Sequence, residues 1–230
     1  MKMSMNNAKL KKTAGKLMQL RASEGYDGKI RLVSFNLPAI KACPGAGACK
    51  GVCYATQGRI AIGSAAAVRE QNHHDSQVIL DLLGPAALAV ELEALVQASK
   101  PRKGQLWVRI HDSGDLYSQS YIDAWVQVIK AMPEVSFYAY TKSLHLDLSK
   151  LEALPNMMLV QSVGGKHDSK IDKSKPHSRI FTTHEDRIKA GYLDGNESDM
   201  PAMMGETNIG LVYHGTRKMT DAQQRFFAVA

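Results

Sequence analysis

The sequence predicts an α/β protein: a TIM-like (βα) barrel, partial or closed, with about six core strands and a helix ahead of the first. Three observations carry that prediction. Short apolar runs alternate with stretches of helical period, the order that builds a parallel sheet. Nearly every predicted strand ends in polar residues, and in barrels and open α/β sheets that end carries the ligand site. The length of 230 residues suits one such domain, and no linker or internal repeat divides residues 1–230.

The elements follow in order. The opening segment is a helix with Leu10, Ala14, Leu17 and Met18 as its apolar stripe, ended by Gly25 and Gly28. Ile30-Arg-Leu-Val-Ser-Phe35 is the first strand, and a glycine-rich cysteine loop occupies 37–58. Residues 64–83 are helical, Gly84-Pro85 breaks the pattern, and 86–99 resume it with Leu88, Leu92, Leu95 and Val96. Gln105-Leu-Trp-Val-Arg-Ile-His111 is the second strand, running into the turn Asp112-Ser-Gly-Asp115. Residues 118–132 form a helix, with Ser120 and Asp123 spaced as a capping box and Ile122, Trp125, Val126 and Ile129 as its stripe. Val135-Ser-Phe-Tyr-Ala-Tyr140 is the third strand, 148–154 a short helix and 157–163 the fourth strand. The polar stretch at about 166–178 reads as a mobile surface loop. A fifth strand at 179–182, a short helix at 185–190, an irregular stretch at 194–207, a sixth strand at 208–213 and a helical or frayed tail from Thr220 complete the chain.

Composition sets outer limits. Hydrophobic residues are 44% and charged residues 22%, enough for an ordinary globular core. No window has the apolar length of a membrane helix, so no membrane partner is expected. The first residues lack an apolar signal core, which makes the cytoplasm the expected compartment. The formal charge is +7. Its lysines are dispersed, without a basic and aromatic ladder, so a solvated surface is preferred over a nucleic-acid partner, which is only weakly supported.

The most specific chemistry lies in the three cysteines, Cys43, Cys49 and Cys53, spaced C-x5-C-x3-C. An odd number of thiols cannot pair completely, and thiolates suit iron–sulfur clusters, Zn²⁺ or Cu(I). Pro44, Gly45, Gly47 and Gly51 let the loop turn tightly, and its backbone N–H groups are candidate donors to cluster sulfides. An iron–sulfur cluster is favoured over structural zinc and over free thiols. Three cysteines would hold three corners of a four-iron cube and leave one iron open.

Around that loop the strand ends supply further candidates. His111 is a proton-transfer group near neutral pH. Asp112 and Asp115 can accept hydrogen bonds from an amine or from ribose hydroxyls, with Ser113 and Gly114 between them. Thr141, Lys142 and Ser143 offer a cation and two hydroxyls, Lys142 being suited to a carboxylate or phosphate. Ser162, with Gly164 and Gly165, can let a ligand approach the backbone. Tyr54 can shield the cysteine loop, and Asn72, on the following helix, can face the same site. Each also has an ordinary structural explanation as a turn, cap or surface residue.

Four stretches together resemble one known family. They are Cys43-Pro-Gly-Ala through Cys53-Tyr-Ala55, Arg109-Ile-His-Asp-Ser-Gly-Asp115, Phe137-Tyr-Ala-Tyr-Thr-Lys-Ser143 and Ile209-Gly-Leu-Val-Tyr-His-Gly215. The chain resembles the bacteriophage gene product eighty-eight family over about residues 30–217. That resemblance implies a phage-encoded protein working in the cytoplasm of a bacterial host, and a cysteine-bound iron–sulfur cluster of the 4Fe–4S type. A more distant likeness is to radical S-adenosylmethionine enzymes, which hold a four-iron cluster on a three-cysteine loop after the first strand of a partial barrel. It implies S-adenosylmethionine as a candidate second cofactor, with Asp112-Ser-Gly-Asp115 near its amine. The chain departs from that pattern: its cysteine loop is longer, the aromatic residue follows the last cysteine, and no Gly-Gly-Glu follows the second strand.

The expectation is therefore an iron–sulfur protein with an unknown small-molecule ligand. Cys43, Cys49 and Cys53 are the metal ligands; His111, Asp112, Asp115 and Lys142 are the catalytic candidates. Tyr54, Asn72, Ser113, Gly114, Thr141, Ser143 and Ser162 line the ligand site. The rival is a redox-sensing or structural cluster module without catalysis. A zinc protein that binds nucleic acid is third.

Overall fold

The computed structural model describes residues 1–5, 7–215 and 218–228. Its centre is a mostly parallel sheet of eight strands: β1 (Met3–Ser4), β2 (Lys29–Phe35), β3 (Gly104–Ile110), β4 (Ser136–Thr141), β5 (Met157–Ser162), β6 (His177–Phe181), β7 (Leu193–Asp194) and β8 (Asn208–Val212). The spatial order is β1-β2-β3-β4-β5-β6-β8-β7, and only β1 runs antiparallel to its neighbour. Six core strands therefore lie side by side in chain order. The sheet does not close: β1 and β7 form its two edges, and β2 does not pair with β8. The expected α/β class holds; of the partial or closed barrel expected, the closed form is corrected to an open sheet, and a TIM-like barrel is not confirmed.

The helices are α1 (Ala8–Ser23), α2 (Gly63–Ser99), α3 (Gln119–Ala131), α4 (Ser149–Glu152), α5 (His184–Lys189), α6 (Met200–Met203) and α7 (Asp221–Ala228). Helix α2 is bent where Gly84 adopts φ 79° ahead of Pro85, a conformation that glycine reaches without a Cβ penalty. Helix α3 starts at Ser118, whose hydroxyl accepts the Tyr121 N–H at 3.2 Å; Ser120 is already inside the helix, which corrects the expected cap. Two-residue β1, β7 and the four-residue α6 fall in segments where the sequence shows no period.

Alternation along the strands divides the core in two. Val33, Phe35, Val108, Ile110, Phe137, Ala139 and Leu159 pack on one face against Leu88, Leu92 and Val96 of α2 and Tyr121, Ile122, Trp125 and Ile129 of α3. On the other face Ile30, Leu32, Trp107, Tyr138, Val160 and Ile209 pack against Leu10 and Leu17 of α1 and Ala202 and Met203 of α6. Helix α1 thus covers the face that a closed barrel would turn inward. Its buried positions are Leu10, Thr13 and Leu17, whereas Met18 is exposed. No helix among the described residues is long and apolar enough to cross a membrane.

Candidate functional site

The cysteine loop lies across the carboxyl ends of β3, β4 and β5. Several of its attachments are backbone contacts, which explain the glycines. The Asp115 N–H donates to Ala42 O at 3.0 Å, and the Leu37 N–H to Ser113 O at 2.9 Å. The N–H groups of Gly47 and Cys49 both donate to Gly164 O, at 3.2 and 3.1 Å, and that of Lys166 donates to Gly45 O at 2.8 Å. A Cβ on Gly45 would stand 2.2 Å from the Lys142 carbonyl oxygen, and one on Gly47 2.7 Å from Gly165. The backbone donors of Gly47 and Cys49, expected to serve cluster sulfides, are therefore already engaged. Ile40, a β-branched residue at φ 67°, holds a strained left-handed turn just before Cys43 and accepts its N–H.

All three cysteines are half-buried free thiols. Burial pushes Cys43 up to about 12, and the negative charges of Asp115, Cys53 and Cys49 add to it. Burial also raises Cys53, while the nearby Lys142 ammonium works in the opposite direction. The thiols thus lie within electrostatic reach of one another, of Asp115 and of Lys142. Among the described residues, no group of three or more His, Cys, Asp or Glu side chains is arranged to hold a metal ion.

The other predicted residues divide by direction. Asp115, Thr141, Lys142 and Ser162 join the cysteine loop. Asp115 is buried and accepts from Thr141 Oγ1 at 2.7 Å, Leu116 N at 2.7 Å and Lys142 N at 2.8 Å. Burial raises its carboxyl above the usual range, against these donors. The Lys142 ammonium donates to Ser162 Oγ at 2.6 Å. Ser143 is buried beside this group with its N–H on Thr141 Oγ1 at 3.0 Å and, among the described residues, no partner for its own hydroxyl.

Three candidates serve as supports. Ser113 Oγ donates to Leu37 O at 2.8 Å, and Gly114, at φ 89°, lies against Leu37, leaving no room for a Cβ. Asn72 donates to Lys2 O and Asn36 O at 2.9 and 3.0 Å, tying the first residues to β2 instead of facing the thiols. His111 turns away altogether. At φ 68° it leaves the strand alternation, stacks on Tyr121 and shares a 2.9 Å hydrogen bond with its hydroxyl. Its burial, with Arg109 nearby, lowers its pKa to about 3, so it remains a neutral core imidazole at physiological pH.

Asp112 belongs to a second, buried polar network. It accepts from Asn7 Nδ2 at 2.5 Å and from the Tyr54 hydroxyl at 2.5 Å, and lies 3.8 Å from Arg109. Tyr54 exposes part of its ring while its hydroxyl end lies deep. Arg109 donates to Asp199 at 2.7 Å, Lys9 stands 2.7 Å from the other Asp199 oxygen, and the Tyr138 hydroxyl donates at 2.9 Å. Burial alone would raise the Asp199 carboxyl; the charges of Arg109 and Lys9 outweigh it and hold it below the usual range. Sequence reasoning missed Arg109, Asp199 and Lys9. The available signal was an arginine in the middle of an otherwise apolar strand; Asp199 lies in an irregular stretch that offers none.

Fold and site together define a class: an open, mostly parallel α/β protein with a thiol-rich loop fastened across the carboxyl ends of its strands. The chain belongs to the Gene product 88 family, whose model matches residues 1–230. It is 36% identical over 105 residues to the Gene 88 protein of Mycobacterium phage L5, covering 44% of this chain and 42% of that protein. It is 33% identical over 121 residues to the Gene 88 protein of Mycobacterium phage D29, covering 49% of each. The chain thus aligns with less than half the length of either curated relative. No solved structure matches it. The bacteriophage affiliation read from the sequence is borne out, while the likeness to radical S-adenosylmethionine enzymes gains no support.

Proposed function

We propose that this protein binds an iron–sulfur cluster through Cys43, Cys49 and Cys53. The observation that carries the reading is the placement of the chain's three thiols, half-buried and within electrostatic reach of one another, on a loop pinned to three strand ends. The donor chemistry fits: three soft sulfur ligands, with Lys142 favouring the charged form of Cys53. A single tetrahedral ion at ~2.3 Å from each sulfur needs its ligands gathered within about 4 Å of one another. Among the described residues no side chains form such a set, so the reading rests on the donor chemistry of the three thiols and on the loop they share. When bound, it would supply one-electron redox chemistry. The raised pKa of Cys43 and Cys53 means that binding must expel protons. The reading does not draw on S-adenosylmethionine: Asp112 lies in the buried network with Asn7, Tyr54 and Arg109, and Asp115 holds Thr141 and Lys142.

Anaerobic purification tests this. The expected product is brown, with broad visible absorption and iron and acid-labile sulfide in similar amounts. Alanine at Cys43, Cys49 or Cys53 is expected to remove most of the iron while the far-ultraviolet dichroism is kept. A colourless protein, or one loaded with zinc in place of iron, overturns the reading.

A further inference from the structure

We propose that Lys142, with Ser162 oriented by Ser178, is the recognition point for a phosphate or carboxylate group of a small molecule held beside the cysteine loop. This deepens the reading above, resting on it for the neighbouring centre but drawing on different atoms.

The argument begins with an uncompensated charge. Lysines 9, 12, 16, 41, 100, 103, 150 and 175 each stand within ion-pair distance of a carboxylate. Lys142 is half-buried, yet among the described residues its ammonium has no carboxylate partner. It bonds a neutral hydroxyl, Ser162 Oγ, at 2.6 Å, and that hydroxyl receives Ser178 Oγ at 3.2 Å. A cation drawn partly out of water is costly without a counter-charge.

The nearby carboxylates do not reach the ammonium as an ion pair. Asp115 lies within electrostatic reach of Lys142 but hydrogen-bonds Thr141 and the backbone N–H groups of Leu116 and Lys142, and makes no ion pair with the ammonium. Asp168 is spent on the N–H groups of Gly164 and Gly165, at 2.9 and 2.8 Å. The rim adds positive charge. Lys166 and Lys170 lie within electrostatic reach of His145, whose ring is tilted against that of His167 with centroids 4.7 Å apart. The position is also where open parallel sheets bind ligands: Lys142 follows the carboxyl end of β4 and Ser162 ends β5, with Ser178, near the start of β6, paired beside Ser162. A tetrahedral or planar anion would accept from the ammonium and from the Ser162 hydroxyl, whose oxygen accepts from Lys142 and Ser178 and leaves its own proton to donate.

Titration calorimetry with inorganic phosphate, and separately with acetate, tests the proposal on the full chain. Saturable binding of at least one probe is expected. Lys142→Met should weaken it at least tenfold, Lys142→Arg should retain it, and Lys150→Met should leave it unchanged. A matching melting temperature shows that each variant folds. No binding of either probe, or equal binding by Lys142→Met, overturns the proposal. So does displacement of phosphate by a short oligonucleotide at far lower concentration than by a mononucleotide, since the phosphate would then belong to nucleic acid. Iron and sulfide are measured on the same samples. Cluster without anion binding sinks this inference alone, and Lys142-dependent binding without cluster sinks the cluster reading alone.

Discussion

At the scale of one residue, His111 shows how a strand end can mislead. A histidine beside two aspartates suggests proton transfer, but the backbone at φ 68° swings the imidazole onto Tyr121. Burial holds its pKa at about 3, against about 6.5 in an unfolded chain. Between those values the unfolded chain binds a proton that the folded one does not. Stability contributed by the neutral imidazole is therefore intact above about pH 6.5 and lost as pH falls toward 3, at up to ~1.4 kcal/mol per pH unit. In an NMR titration the His111 ring signals should stay fixed from pH 8 to about pH 4.5, while exposed imidazoles move; a midpoint near 6.5 would refute the assignment. The clustering of polar residues at strand ends was legible in the sequence, but side-chain direction was not. It depends on one left-handed residue, a conformation that histidine adopts more often than most residues but too seldom to be read from sequence.

Elements were more legible. Runs such as Leu-Trp-Val-Arg-Ile and Phe-Tyr-Ala-Tyr name buried strands because both sheet faces are covered. The short β1, β7 and α6 carry too few residues to show a period. The cysteine loop was legible as a glycine-rich turn, but not what the glycines make room for. The structure supplies that: Gly45 passes the Lys142 carbonyl, and Gly47 passes Gly165. These neighbours are backbone and cannot rotate aside. Gly45→Ala and Gly47→Ala should each cost ~1–3 kcal/mol in urea denaturation, as overpacking does, and lower iron retention in anaerobic preparations. Gly15→Ala, on α1 with nothing within 4 Å of the added carbon, should instead gain up to ~1 kcal/mol. Equal effects at all three positions would show that the loop does not depend on close backbone approach.

On the scale of the whole molecule, the open sheet poses a problem that α1 solves. Closure would have lined the inner face with strand side chains alone; here Leu10 and Leu17 of a helix cover it. The same helix brings Lys9, its N-cap Asn7 and Thr13 to a buried charged group: Lys9 and Arg109 against Asp199 and Asp112, with the Asp199 N–H on Thr13 Oγ1 at 2.9 Å. The two cations balance the two carboxylates, so removing one charge exposes the rest. Asp199→Asn should cost ~3–5 kcal/mol because Arg109 and Lys9 lose a shared partner in an apolar surround. Adding Lys9→Met to that variant restores a one-to-one balance between Arg109 and Asp112. The double variant should therefore be more stable than Asp199→Asn alone, with a coupling of about 1 kcal/mol or more in a double-mutant cycle. The same loss of anchorage should make α1 the first segment cut in limited proteolysis of Asp199→Asn. Strict additivity in the cycle, with α1 no more readily cut than in the native chain, would show that hydrophobic burial alone fastens the helix across the sheet.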